Sequence, residues 1–283
     1  GTYCQVRWAE TADGRRFAVK AFLRSELDHK QVPFFHADGA GTESLRERIR
    51  RELEILSTLQ HPSIVTLEEI IDDDGHERLY AIMEGLRGGQ LMSWVDDLHG
   101  YSAGASATAV QQHWGEQVQI DTVPTGFLSQ DHARVFREAV AKFLFRQLLG
   151  AVEHLHERGI IHKDLKPDNI MLTRPVPSGD ARFVGLLDIE NWPMVPSAAV
   201  PNDPGVTPAE VAQLLDPARF AAKIGDFNTA VVASPPDFLI YDAEGTHLLT
   251  PPECFLPREG GLRGKPRDMW SLGCVLFVML FGR

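Results

Sequence analysis

Apolar and polar positions alternate from the start of the chain. Val6 and Trp8 are followed by Thr11-Ala12-Asp13-Gly14 and then by Phe17-Ala18-Val19-Lys20. Period-two alternation on both sides of a turn sequence predicts strand, hairpin turn and strand, with Ala18 and Lys20 on one face of the second strand. Residues 24–42 hold Pro33, Gly39 and Gly41 without a clear period and read as an inserted loop. The spacing then becomes helical. Ile49, Leu53, Leu56 and Leu59 form one stripe, predicting a helix from about Thr42 to Leu59 that His61-Pro62 ends. Strands are predicted over Ile64–Ile71 and Leu79–Met83, joined by the acidic turn Asp72-Asp73-Asp74-Gly75. Residues from about 99 to 128 are rich in Gly, Ala, Ser, Thr and Gln and read as a flexible insertion. Ser129 is a plausible N-cap for a long helix to Arg158, with Val135, Phe143, Leu144, Leu148 and Leu155 among its core residues and Gly159 as its stop. A second insertion, about 174–220, is crowded with prolines; Thr207-Pro208-Ala209-Glu210 inside it is a capping box that predicts one short helix.

Two short apolar runs, Ile160-Ile161 and Ile170-Met171-Leu172, read as buried strands around a polar loop, His162-Lys163-Asp164-Leu165-Lys166-Pro167-Asp168-Asn169. The loop carries a carboxylate, a lysine two residues on and an amide five residues after the carboxylate. That set can orient or accept a proton, hold a phosphate and ligate a divalent cation. A charged surface turn would explain the polarity alone. It would not explain the further signatures on both sides.

The loop resembles the catalytic loop of eukaryotic protein kinases, H-R-D-L-x-x-x-N, with Lys163 in place of the arginine. Gly1-Thr2-Tyr3-Cys4-Gln5-Val6 resembles the second half of that family's glycine-rich loop, with Gly1 at its second glycine and Cys4 at its third. Phe17-Ala18-Val19-Lys20 resembles V-A-I-K, and Arg51-Glu52-Leu53-Glu54 lies in a run similar to the αC helix. Leu79 to Glu84 resembles the strand into the hinge, Gly88-Gly89-Gln90 matches G-G-E with glutamine for glutamate, and Asp226-Phe227-Asn228 resembles D-F-G. Gly245-Thr246 through Pro251-Pro252-Glu253 is similar to the end of an activation segment, and Asp268-Met269-Trp270-Ser271-Leu272-Gly273 to the start of the αF helix.

The resemblance implies an α+β, two-lobed fold, with a small β-rich lobe over 1–85 and a larger helical lobe over 86–283, and ends that read as cut on both sides. It implies ATP and Mg²⁺ as cofactors and a serine/threonine protein kinase activity. Asp164 would be the catalytic carboxylate and Lys166 would neutralise the moving phosphoryl group; this lysine also favours serine/threonine over tyrosine acceptors. Gly1, Val6, Ala18, Lys20, Glu52, Met83, Glu84, Leu86 and Met171 would contact or support the nucleotide, with Met83 as gatekeeper, while Asn169 and Asp226 would hold the metal. Glu54 points about 200° away from Glu52 on the helix and reads as a solvated charge. Leu67, Leu56, Phe227 and His162 match the family's hydrophobic column, so His162 is structural. Gln90 can still reach a ribose hydroxyl but attracts basic substrates less. Asn228 tolerates the left-handed backbone expected where glycine is usual. Lysine at 163 offers a point charge instead of a bidentate clamp, so activity should depend little on loop phosphorylation, with Asp242 or Glu244 partly supplying the negative charge. The insertion after Lys20 and the activation segment's length resemble the calcium/calmodulin-dependent protein kinase kinases. The alternative is a pseudokinase, a nucleotide-binding scaffold, motivated by Asn228, Cys4 and the insertions.

Composition adds limits. The 283 residues carry a net charge of −11, which argues against non-specific nucleic-acid binding and does nothing to favour an anionic membrane surface. The longest apolar run, Cys274 to Phe281, is too short to span a bilayer. Cys4, Cys254 and Cys274 are scattered without metal-ligand spacing, which favours a reducing compartment, cytoplasm or nucleus. Expected partners are protein substrates with Ser/Thr acceptors and a regulatory partner at the insertions, with neither nucleic acid nor membrane.

Overall fold

The computed structural model describes residues 4–36, 39–95, 100–103, 136, 138–173, 220–256 and 260–282. Strands β1 (Gln5–Glu10) and β2 (Arg16–Leu23) form the predicted hairpin, in a register that sets Val6 opposite Lys20 and Trp8 opposite Ala18. The chain then departs from the loop expected over 24–42. It forms helix α1 (Arg24–His29) and an antiparallel pair, β3 (Gln31–His36) with β4 (Gly39–Ser44). Leu27 and Val32 are single apolar anchors that pack with Phe22, Leu45, Ile49 and Leu53, so tertiary contact, without any local period, orders this stretch. Helix α2 (Leu45–Ser57) begins later than predicted because Ser44 and Glu47 close a capping box, while Thr42 and Glu43 pair within β4.

Strands β5 (Leu67–Ile71) and β6 (Arg78–Glu84) complete an antiparallel sheet of order β1-β2-β6-β5. The predicted strand from Ile64 is shorter: Ile64 bridges Ile224 instead, and the Val65 N–H donates to the Ile224 carbonyl at 2.9 Å. Strands β7 (Met92–Val95) and β8 (Gly100–Ala103) pair antiparallel, so the first residues of the expected insertion are ordered sheet. The remainder of that insertion, Ser129 and Val135 lie outside the described residues, as do nearly all of 174–220 and its predicted short helix.

Helix α3 (Glu138–Glu157) buries Leu144, Leu148 and Leu155 and gives way to Gly159 at φ +72°. Strand β9 (Ile160–Ile161) leads into the polar loop, a 3₁₀ turn spans Pro167–Asn169, and β10 (Ile170–Leu172) leads out to pair with β11 (Ala222–Ile224). Strand β12 (Val231–Val232) pairs with β9, and β13 (Leu239–Ile240) with β14 (Leu262–Arg263). Helix α4 (Gly264–Phe281) packs on α3 and closes the larger core around Leu148, Leu165, Phe227 and Leu272. These elements give two lobes, a β-rich one and a helical one. Among the described residues no helix is long and apolar enough to cross a membrane.

Candidate active site

An apolar slot lies between the lobes. Ala18, Val65, Met83 and Leu86 form it, with Val6, Leu67 and Met171 packed against them. Five of the predicted nucleotide residues, Val6, Ala18, Met83, Leu86 and Met171, therefore converge from β1, β2, β6, the following segment and β10. Val65 was not singled out in the sequence because its role depends on the bridge to β11. Glu84 turns its carboxylate to Lys223 Nζ and to the Thr66 N–H, both at 2.7 Å, so only its backbone can face the slot. At Gly85 an added Cβ would sit 2.5 Å from the Arg16 carbonyl oxygen, which lets the chain pass this close to β2. Gly1 lies outside the described residues. Cys4 follows it near Lys20, and burial pushes its thiol up, away from the reactive thiolate.

Beyond the slot the charged groups assemble. Lys20 Nζ donates to Glu52 Oε1 at 2.7 Å and lies 3.5 Å from Asp226 Oδ1. Burial pulls the Lys20 pKa down, but the Glu52 and Asp226 carboxylates outweigh it and hold the ammonium above its ordinary range. Glu54 pairs with Arg50 on the exposed face of α2, as its position on the helix requires. On the polar loop Asp164 Oδ1 accepts the Thr246 N–H at 2.8 Å and the Thr246 hydroxyl at 2.7 Å, while Oδ2 accepts Asn169 Nδ2 at 3.0 Å. Lys166 Nζ lies 3.1 Å from both Asp164 Oδ2 and Thr246 Oγ1. Burial raises the Asp164 pKa, but the Lys166 charge and the Thr246 hydrogen bond bring it below the usual carboxylate range.

Asn169 directs its amide nitrogen to Asp164, which leaves the amide oxygen as its group for a cation. With the Asp226 carboxylate it makes a hard oxygen donor pair. Among the described residues no group of three or more His, Cys, Asp or Glu could hold a metal ion. A two-residue donor set of this kind suits Mg²⁺ completed by phosphate oxygens and water.

The left-handed residue of the Asp226-Phe227-Asn228 turn is Asp226, at φ +55°; Asn228 is not among the positive-φ residues. The expectation for Asn228 is thus corrected: the backbone reverses two residues earlier, and asparagine at 228 is under no such demand. Gln90 also differs from expectation. Its Nε2 donates to the Asp168 carbonyl at 3.1 Å and its Oε1 accepts the Ser93 hydroxyl at 2.9 Å, so both ends of the amide are engaged within the protein. Tyr101 on β8 donates to Asp168 Oδ2 at 3.2 Å, and burial raises the Asp168 pKa.

The scaffold under the loop is closely hydrogen-bonded and packed. Buried Asp268 accepts the N–H groups of His162 and Lys163 at 3.0 and 2.9 Å and also meets His156 Nε2 at 2.9 Å. His162 packs against Phe227 with ring centroids 4.8 Å apart and planes tilted by 59°, Leu56 lies in the same core as Phe227, and Leu67 packs against it, which is the expected column. Lys163, buried and at φ +68°, extends Nζ to 2.7 Å from Asp242 Oδ2 and 3.4 Å from Glu244 Oε2. Sequence reasoning missed Arg48 and Arg267, which also reach this acidic pair. The helical offset of Arg48 from Glu52 was the available signal.

A family profile described as protein kinase domain matches residues 1–188. Serine/threonine-protein kinase GRIK2 of Arabidopsis thaliana is 27% identical over 284 residues, covering 100% of this chain and 49% of the relative. Serine/threonine-protein kinase GRIK1 of the same plant is 26% identical, over 100% of this chain and 50% of its own length. CBL-interacting protein kinase 9 of Oryza sativa subsp. japonica is 24% identical, covering 100% of this chain and 41% of that protein. The chain thus spans about half the length of the curated relatives it matches.

Proposed function

Since the chain belongs to the protein kinase domain family, we propose that it transfers the γ-phosphoryl group of ATP to serine or threonine hydroxyls of protein substrates. The observation that carries this reading is the carboxylate of Asp164, held with a hydroxyl at 2.7 Å and an ammonium at 3.1 Å, in a loop beside the slot and the Lys20–Glu52 pair. Thr246 is a hydroxyl of the chain itself on the oxygen that an acceptor hydroxyl would use.

In the reaction the acceptor oxygen forms a bond to the γ-phosphorus as the bond from that phosphorus to the β–γ bridging oxygen breaks, and ADP leaves with the electron pair. Asp164 orients the acceptor hydroxyl and takes its proton. Lys166 neutralises charge on the moving phosphoryl group, and Lys20, fixed by Glu52, grips the α- and β-phosphates. Asn169 and Asp226 are suited to hold Mg²⁺, whose contribution is to neutralise phosphate charge. The slot takes the base, with backbone groups at Glu84 and Leu86 toward its edge, and Gly1 belongs to the same nucleotide loop. We assign the small lobe to residues 1–85 and the large one to 86–283, with a regulatory partner at the 99–128 and 174–220 insertions and a cytoplasmic location.

The test is Mg²⁺-ATP-dependent phosphorylation of a mixed Ser/Thr peptide library by the full-length protein, with Asp164→Asn and Lys20→Met as controls. Incorporation lost in both variants supports the reading. Nucleotide binding without incorporation by the wild type would replace it with a scaffold.

A further inference from the structure

Arginine is almost never fully buried unless its charge is paired, yet Arg267, in the first turn of α4, is only 1% exposed. Its one ion pair among the described residues, with Asp242 Oδ1, is long at 3.8 Å, and that carboxylate already has Lys163 Nζ at 2.7 Å. The guanidinium bonds mainly to backbone. Nη2 donates to the Lys163 carbonyl at 3.1 Å and to the Glu244 carbonyl, and Nη1 donates to the Asp242 carbonyl at 3.1 Å. A planar fork of N–H donors can span three carbonyls, whereas the compact ammonium of a lysine cannot. Nε is buried without a hydrogen-bond partner among the described residues, a cost that an apolar side chain of like volume would not carry. Core stability alone therefore does not call for arginine at 267.

The three carbonyls belong to the two segments that meet at Asp164. Lys163 precedes Asp164, and successive residues of α4 hold its peptide groups. Its N–H donates to Asp268 Oδ1 at 2.9 Å, and its carbonyl accepts from Arg267. Asp242 and Glu244 lead into Gly245-Thr246, and Thr246 gives Asp164 Oδ1 its N–H at 2.8 Å and its hydroxyl at 2.7 Å. Gly245 makes room for this. At its φ of +125°, a Cβ would lie 2.5 Å from the Lys163 carbonyl oxygen and 3.0 Å from Arg267 Nη2. One guanidinium thus grips the chain on both sides of the contact between Asp164 and Thr246.

We propose that Arg267 is a positioning residue for the protein substrate: by joining the Lys163 carbonyl to those of Asp242 and Glu244 it sets Thr246 against Asp164, and with it the place where the acceptor hydroxyl enters. This rests on the serine/threonine kinase reading and adds to it a residue that touches neither nucleotide nor acceptor. Among the described residues none of its bonds goes to Lys20, Glu52 or the apolar slot, so MgATP should bind as well without it.

The experiment uses the full-length protein as wild type, Arg267→Met, Arg267→Lys, Thr246→Val and the double variant Arg267→Lys with Thr246→Val. It measures kcat and KM for one peptide taken from the Ser/Thr library, the Kd for MgATP, and Tm. Both Arg267 variants are expected to lower kcat about tenfold, the scale of one lost charge-assisted hydrogen bond, and to raise the peptide KM severalfold. The Kd for MgATP should stay at the wild-type value, a split that general loosening of the fold would not give. Adding Arg267→Lys to Thr246→Val should change little, because both break the same contact. An Arg267→Lys protein matching wild type in kcat and peptide KM overturns the proposal, since charge without the fork would then suffice. Losses that multiply in the double variant overturn it, as does MgATP affinity that falls in step with kcat. If Arg267→Met does not fold, Arg267→Lys decides; failure of both to fold makes the side chain a structural requirement and overturns the proposal. A wild type that phosphorylates no peptide overturns the kinase reading, a result distinct from an active wild type indifferent to residue 267.

Discussion

Asp164 shows how burial and two neighbours decide the state of one carboxylate. Burial alone would raise its pKa, yet Lys166 and Thr246 keep it below the ordinary range. With the folded value below the unfolded one, the ionised form stabilises the fold above the unfolded pKa, and that contribution is lost as pH falls through the folded value. The acid limb of kcat/KM should therefore lie below about pH 4, the ordinary aspartate value. Thr246→Val, which removes the hydroxyl that bonds Oδ1, should move the limb upward in a pH–rate profile. An unmoved limb would assign it to another group. Gly245, next to that threonine, sits at φ +125°, where an added Cβ would lie 2.5 Å from the Lys163 carbonyl oxygen. Gly245→Ala should cost about 1–3 kcal/mol in denaturant unfolding and pull Thr246 away from Asp164. Asp164, Lys166 and Asn169 were legible because they are contiguous, with spacing that speaks for itself. Asp242 and Glu244 were legible because lysine at 163 asks for a nearby anion. Arg267 comes from a distant helix and announces nothing locally, and Arg48 offered only its four-residue offset from Glu52.

At the scale of elements, α2 was legible from its Ile49–Leu53–Leu56 stripe, while its first residue was not. Thr42 and Ser44 are both acceptable N-caps by type; Ser44 wins because its N–H donates to Glu47 Oε2 at 2.8 Å. Ser44→Ala should cost about 1 kcal/mol of stability by denaturant unfolding. Because Arg48 lies on the first turns of this helix, fraying there should also lower kcat. An effect on stability alone would mean that α2 is held from its middle onward. The β3–β4 pair was read as a loop because Pro33, Gly39 and Gly41 leave the stretch without a clear period, and β8 because it falls in a stretch rich in Gly, Ala, Ser, Thr and Gln. Their order comes from partners: Val32 enters the core beside Leu53, and Tyr101 reaches Asp168. The Asp38-Gly39 dipeptide, whose glycine opens β4, was a local turn signal that went unused.

Across the whole molecule the lobes meet through few but different links. The Ile64 and Val65 pairing with Ile224 is backbone, Lys223–Glu84 and Lys20–Asp226 are charge pairs, and Leu67, Leu56, Phe227 and His162 form the packed column. The packed column was legible as a kinase motif, and the run from Lys223 into Asp226-Phe227-Asn228 resembles the strand that β11 forms. The two charge pairs and the pairing of Ile64 and Val65 with Ile224 join residues far apart in sequence and were not legible. The acidic pair adds a fourth link, between the activation segment and both lobes. In a kinase whose loop needs a phosphate, arginine at 163 would grip that group with two parallel bonds, and its removal would open the link. Here lysine already has a carboxylate at 2.7 Å, and the pair lies on the segment's own backbone. Phosphatase treatment of the full-length protein should therefore leave kcat unchanged, whereas Asp242→Asn combined with Glu244→Gln should lower it by about tenfold or more, since several charge-assisted bonds go at once. Unchanged kinetics in the double variant would refute the carboxylates as the source of the negative charge. A large loss on phosphatase treatment would show that a phosphate on Thr229, Ser234 or Tyr241 supplies it instead.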